Sequence, residues 1–371
     1  MSRSLRPPDK GSRGVLRPWA FLGSLLIWIA LAHLGLGVCP EFSPPGQRFE
    51  FTQPLMGTTA RIVLYAAGPS IAMVSSRAAF ERMTYLEGLL SDYQPESELN
   101  QLCENAIASP RKVSTDLFAV LAESQVLAIK SEGAFDITVG PVVQLWRRAR
   151  RRHELPSDSR LSEALKLVGY QKLTLNPEMG TAQLQAPGMQ LDLGGIAKGY
   201  AADEGLKTLQ SHGVNTALVA IGGDIALGNP PPHKPGWEID INPGPAFQRK
   251  SSHPLFLSHR GVSTSGDAEQ FIEIAGNRYS HIVDPRTGLA LSGYRSVTVV
   301  APNAMASDAL ATTLCVLGPR SGLHLLQSEP CTSAIYLESV HGRVQTFTSK
   351  RWNTRGECKG PATAGKPAKS K

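Results

Sequence analysis

Three short stretches of this chain hold residue types that could do chemistry together. The first, Asp192-Leu-Gly-Gly-Ile-Ala-Lys198-Gly-Tyr, runs from a strand end through two glycines into a helix. Glycines let backbone N–H groups close on a phosphate, and a helix N-terminus favours negative charge. Lys198 then falls in the first helical turn, where a cation opposes the helix dipole and suggests an anionic partner. The plainer alternative is a strand-to-helix turn with a solvated lysine. The second stretch, Ala306-Ser-Asp308-Ala-Leu-Ala-Thr312, sets a carboxylate and a hydroxyl four residues apart. On a helix they share a face, and such oxygens suit Mg2+. Here the alternative is a capping aspartate beside a threonine bonded to the backbone. In the third, His281 precedes Asp284-Pro-Arg-Thr-Gly288, whose ends mark a tight turn. A histidine closing a strand can act as general base, or can simply be satisfied by backbone bonds. Ile221-Gly-Gly-Asp224 reads as a turn between strands, and Val262 to Gly266 as a strand entering a small-residue turn.

The elements that must position these residues follow from periodicity. Residues 49–65 alternate as strands broken at Met56-Gly57. Residues 71–90 have helical spacing, with Ala72, Val74, Ala79, Met83, Leu86 and Leu90 as the apolar stripe. Ser114-Thr-Asp116 caps a second helix to about residue 131, and 136–148 reads as a third. From residue 170 short apolar runs at 171–175, 181–185, 214–221, 237–241, 255–258, 270–275, 279–283 and 296–301 are separated by Gly, Pro and Asn, and read as strands. Helices over 196–212 and 304–317 complete the pattern. Helices early and strands late give an α+β class.

Composition bounds the rest. The chain has 371 residues, 42% apolar and 19% charged, which is globular. Its net charge of +7 lies at the ends: residues 1–18 hold five basic side chains against one acidic, and 350–371 hold seven against one. A nucleic-acid footprint would place its basic residues on a folded face, so nucleic acid is excluded as partner. The internal run Arg147, Arg148, Arg150, Arg151 and Arg152 reads as a solvated helix end. Residues 19–38 are nearly all apolar behind a basic flank, fitting a signal peptide or a membrane anchor. Cys39 leaves lipidation open, although Val38 replaces the small residue expected before it. The five cysteines form no CxxC pair, so a zinc cluster is not expected, and a disulfide is open in an exported chain. The organisation is then a basic cytoplasmic flank (1–18), a signal peptide or anchor (19–38), a linker (39–48), one large folded domain (49–349) and a disordered basic tail (350–371).

Together these motifs, with Met56-Gly-Thr58, Ser91-Asp-Tyr93, Gly133-Ala-Phe135-Asp136, Gly140-Pro141 and Leu145-Trp146, occur in the order of a known family. Over Phe51 to Tyr336 the chain resembles the FAD:protein FMN transferases, the ApbE family. The resemblance implies an α+β fold of mixed or antiparallel sheets with packed helices, and an FAD cleft between two lobes. It implies that Met56, Tyr93, Ala134, Phe135, Asp136, Asp192, Lys198 and Ile282 contact FAD. It also implies that Gly195, Asp308, Ala311 and Thr312 hold Mg2+, and that His281 is the base. The implied reaction moves FMN to a Thr or Ser hydroxyl of an exported or membrane electron-transfer protein, such as a flavoprotein subunit of a redox complex. The membrane would be reached through the N-terminal segment, with the catalytic domain on the periplasmic side of a bacterial inner membrane. Hydrolysis of FAD to FMN and AMP, or flavin binding without catalysis, are the alternatives.

Overall fold

Two alternating segments open the fold as a hairpin: Gln47–Leu55 (β1) and Thr58–Ala66 (β2) pair antiparallel with Leu55 opposite Thr58. Met56 and Gly57 between them both have positive φ, 50° and 70°. This is the two-residue turn whose twist matches its strands. The computed structural model describes residues 46–107, 109–241, 254–266, 271–340 and 343–352. The expected basic flank, apolar segment and Cys39 lie outside them, as does the expected 350–371 tail from residue 353 onward. No helix among the described residues is long and apolar enough to cross a membrane.

After the hairpin come Pro69–Leu90 (α1), Glu98–Asn105 (α2), Arg111–Lys112 (β3), Thr115–Lys130 (α3), Gly140–Arg152 (α4) and Asp158–Leu165 (α5). Leu173–Asn176 (β4) and Thr181–Leu184 (β5) precede Ala197–Ser211 (α6). Then follow Ala217–Ile221 (β6), Asp224–Leu227 (β7), Trp237–Ile239 (β8), Leu255–Leu257 (β9), Arg260–Gly266 (β10), Phe271–Ile274 (β11), Asn277–Val283 (β12), Ala290–Ser292 (β13) and Tyr294–Ala301 (β14). Ala304–Leu325 (α7), Ser333–Val340 (β15) and Arg343–Thr348 (β16) close the described fold. The class is α+β, as expected, and every strand pairing described is antiparallel.

The main sheet runs β1-β2-β6-β7-β10-β14-β15-β16. Its central strands are buried on both faces, which is why Ala217–Ile221 reads as an unbroken apolar run. One face carries Ile62, Leu64, Val219, Ile221, Val297 and Val299 into the core shared with α1, α6 and α7. The other sends Val63, Leu218, Val262 and Val300 against β8 and β9. A smaller cluster joins Val142, Trp146 and Ala149 of α4 to Leu161 and Ala164 of α5, and to Val283 and Ala290 beside the turn after His281.

Two expectations change. Val74 is exposed; the stripe on α1 passes instead through Ser75 and Ser76, where a 3.6-residue period from Ala72 lands. The segment before Asp192 is an irregular connector, with no strand between residues 185 and 196. The end of the 304–317 helix does break near the expected place, at Gly318 with φ 74° before Pro319, although helical turns resume to Leu325.

The crossing of α6 and α7 sets the site. A methyl on Gly199 would lie 2.2 Å from the Ala304 carbonyl oxygen, so only glycine permits the approach. Asp203 of α6 accepts the Ala304 and Met305 backbone N–H groups at 2.9 Å each, capping α7 from outside. We expect Asp203→Ala to lower stability by about 1–3 kcal/mol, read as a melting temperature several degrees lower. Burial pushes the Asp203 carboxyl up to about 6 despite those two bonds. A proton held more tightly in the folded state stabilises it most below the unfolded pKa, and that contribution fades as pH rises through the folded one. Stability should therefore slope downward from about pH 4 to pH 6 on account of this group, and Asp203→Asn should remove that slope in thermal melts.

Candidate active site

The residues of chemical interest gather at one end of the main sheet. The β1–β2 turn lies beside the β6–β7 turn: Gly222 N–H donates to the Thr59 carbonyl at 3.1 Å. The C-terminal end of β10 adjoins the same turn, with Thr264 N–H donating to the Gly223 carbonyl at 3.3 Å. The N-terminus of α6 and the middle of α7 meet at this end. A methyl on Gly195 would lie 3.1 Å from Thr312 Oγ1, so the glycine bend rests directly on the threonine. Thr312 Oγ1 is also 3.3 Å from Ser265 Oγ of β10. Asp308 is 1% exposed, and its Oδ2 accepts the Gly199 N–H at 3.0 Å.

Lys198 is held by two carboxylates. Its Nζ is in direct contact with Asp224 Oδ2 and 3.5 Å from Asp308 Oδ2. Burial works against its charge, but Asp224 and then Asp308 outweigh that and hold its proton more tightly than usual. Burial, with Asp224 adding to it, pushes the Asp308 carboxyl up to about 7. Two buried carboxylates facing one ammonium form a site short of positive charge. No group of three His, Cys, Asp or Glu side chains suited to a metal occurs among the described residues. A divalent cation would draw one carboxylate oxygen, the Thr312 hydroxyl and backbone carbonyls, and such an all-oxygen set fits Mg2+.

A second cation bridges carboxylates on the adjoining loop. Arg147 is not solvated, against expectation: its guanidinium pairs with Asp92 Oδ2 and, at 2.7 Å, with Asp192 Oδ2. The same guanidinium lies 4.2 Å from the centre of the Tyr93 ring, which is itself 72% exposed. Asp192 Oδ1 accepts the Gly194 N–H at 2.8 Å, so the clamp reaches into the glycine bend. Arg147 escaped the solvated charge run because it flanks the buried stripe Val142, Trp146, Ala149 on α4. Arg151 and Arg152 are exposed, as expected.

The remaining candidates surround these two clusters. Asp136 turns its carboxylate onto the Thr138 N–H and hydroxyl, at 2.8 and 2.7 Å, while Ala134 and Phe135 are buried in the main core. The next carbonyl, of Ile137, accepts the Asp192 N–H at 2.8 Å and joins this stretch to the loop. Met56 N–H donates to Glu87 Oε1 at 2.8 Å. His281 is half-buried on β12, and Ile282 beside it shares the main core with Ala311. The turn after His281 is tied to α4 by Trp146 Nε1–H donating to the Gly288 carbonyl at 2.8 Å. Sequence reasoning missed Asp224 and Arg147; the one available sign of Asp224 was an acid opening an apolar strand directly after Gly-Gly.

Comparison with known proteins gives a consistent picture. Residues 56–336 match the ApbE family. A Haemophilus influenzae FAD:protein FMN transferase is 35% identical, over 87% of this chain and 95% of its own length. The solved flavin transferase ApbE from Vibrio cholerae superposes with a TM-score of 0.74 at 29% identity, covering 84% of this chain and 99% of that one. The apo flavinyl transferase ApbE from Pseudomonas stutzeri gives 0.74 at 28% identity, covering 83% and 96%.

Removing Arg147 would leave Asp92 and Asp192 facing each other without their shared counter-charge. We expect Arg147→Ala to cost on the order of 2–3 kcal/mol, measured as a lower denaturant midpoint. Arg147→Lys should recover part of it, because an ammonium cannot fork to two carboxylates. An unchanged midpoint in the alanine variant would show that the bridge contributes no stability.

Proposed function

The chain belongs to the ApbE family, and from that membership we propose how this enzyme, an FAD:protein FMN transferase, uses its site. The observation that carries the reading is the pair of buried carboxylates, Asp224 and Asp308, set against Lys198 beside Gly195 and Thr312. Asp308, the Thr312 hydroxyl and the Gly195 and Ala311 carbonyls would hold Mg2+. When bound, the ion supplies positive charge to phosphoryl oxygens.

The chain's own residues do the rest. The Lys198 ammonium stands where negative charge grows on the phosphates. The exposed Tyr93 ring, backed by Arg147, offers a flat face to an aromatic ring of FAD. Membership of the family implies that Met56, the 134–136 stretch, Asp192 and Ile282 would also contact FAD. A threonine or serine hydroxyl of the acceptor is a weak nucleophile and needs a base within hydrogen-bond reach. His281 takes that proton. The hydroxyl oxygen bonds to the FMN-side phosphorus, the bond from that phosphorus to the bridging oxygen breaks, and AMP leaves with the bridging oxygen. Positioning and electrostatics supply most of such catalysis.

The acceptor in this reading is an exported or membrane electron-transfer protein. The apolar segment 19–38 supports an extracytoplasmic catalytic domain tethered at a bacterial inner membrane. Cys331 is disulfide-bonded, which suits an oxidising compartment.

The test combines the enzyme with FAD, Mg2+ and a threonine-containing acceptor peptide, read by in-gel flavin fluorescence. A labelled peptide supports transfer; free FMN and AMP alone would make water the acceptor. His281→Ala should abolish labelling while FAD still quenches on binding, and labelling at the wild-type rate would remove His281 as base. Asp308→Ala should raise the Mg2+ concentration for half-maximal labelling by about tenfold or more; an unchanged Mg2+ titration would remove Asp308 from the metal site.

A further inference from the structure

The two carboxylates around Lys198 are not equivalent. Asp224 touches Nζ directly, whereas Asp308 Oδ2 stands 3.5 Å off and also takes the Gly199 N–H. Both of these Asp308 contacts fall on Oδ2, so neither engages Oδ1. Asp224 is fixed from both sides: it opens β7, faces Ile221 across the hairpin and Ser263 on β10, and is 3% exposed. Lys198 by contrast ends a flexible four-carbon stem, and its ammonium is a compact point charge. Which carboxylate holds the ammonium decides which one keeps its oxygens open to another cation.

We propose that Asp224 is a positioning residue that draws the Lys198 ammonium aside and leaves the Asp308 carboxylate oxygens open to a divalent cation. The inference rests on the magnesium reading above. Without the Asp224 charge, the nearest anion for Lys198 is Asp308, and a cation arriving there must displace a tethered ammonium. With it, the lysine stays paired within the site, where it can turn to the phosphates of the substrate. Asp224 itself needs no contact with substrate or metal.

The experiment titrates the full-length protein, without FAD, with Mn2+, and reads free Mn2+ by electron paramagnetic resonance. Asp224→Asn should weaken Mn2+ binding by about tenfold or more, the usual cost of disturbing an outer partner of a metal ligand. Asp224→Glu, which restores the charge, should recover most of the affinity. The decisive variant is Asp224→Asn combined with Lys198→Met: removing the displaced ammonium should return binding toward the wild-type value, which a merely structural role for Asp224 would not. Lys198→Met alone should bind Mn2+ more tightly than wild type, and this holds as a test even if Asp224→Asn fails to fold. Wild-type affinity in Asp224→Asn, a double variant as weak as the single, or no gain in Lys198→Met would each overturn the inference. If the wild-type protein itself binds no Mn2+, the magnesium reading falls and takes this inference with it.

Discussion

The rest of the site depends on one lysine shared between two buried carboxylates. Burying a charge is costly unless it is paired, and burying three in one place requires fixed geometry. Here the geometry comes from three separate supports. Lys198 rides on the first turn of α6, Asp308 on the second turn of α7, and Asp224 on the strand that leaves the Gly222-Gly223 turn. The glycine at 199 lets the two helices close far enough for the 3.5 Å contact between Lys198 and Asp308. Asp203 then holds the start of α7 against α6.

The same charge pattern occurs a short distance along the chain. Arg147 serves Asp92 and Asp192 as Lys198 serves Asp224 and Asp308: one cation, two acids. The residues joining the two clusters, Asp192 to Lys198, form a single turn into α6. A guanidinium suits its place because its planar fork reaches two carboxylates while stacking on Tyr93. An ammonium suits the other because it is compact and can shift between partners. Each cluster sets two acids against one cation. In the proposed reading the Lys198 cluster would take a divalent cation and, through it, an anionic diphosphate.

The sheet makes this arrangement possible by bringing distant turns to one end. The β1–β2 hairpin is more than 150 residues from the β6–β7 hairpin in sequence, yet the two strands pair directly through β2 and β6. Antiparallel order then adds β10 and β14, whose Ser263, Thr264 and Thr298 hydroxyls bond among themselves or to Ser307 of α7. These buried hydroxyls are satisfied, so the polar end of the sheet does not weaken the core. The small cluster around Trp146 anchors the turn after His281 to the helix that also carries Arg147.

Local rules made much of this legible in the sequence. The Met56-Gly57 turn, the α1 stripe apart from Val74, and the Gly318-Pro319 break all follow from propensities within a few residues. The spacing of Asp308 and Thr312 and the glycines before Lys198 likewise marked the two arms of the site. Pairing at a distance left no such mark. Nothing within ten residues of Asp224 says that it meets Lys198, and nothing in the Arg147–Arg152 run separates the bridging Arg147 from the exposed Arg151 and Arg152 except its place beside a buried stripe. A side chain's partner across a fold is set by sheet order and helix crossing, so the sequence determined which oxygens and cations were available. Only the tertiary structure decided which of them share charge, because Coulombic pairing acts across space and not along the chain.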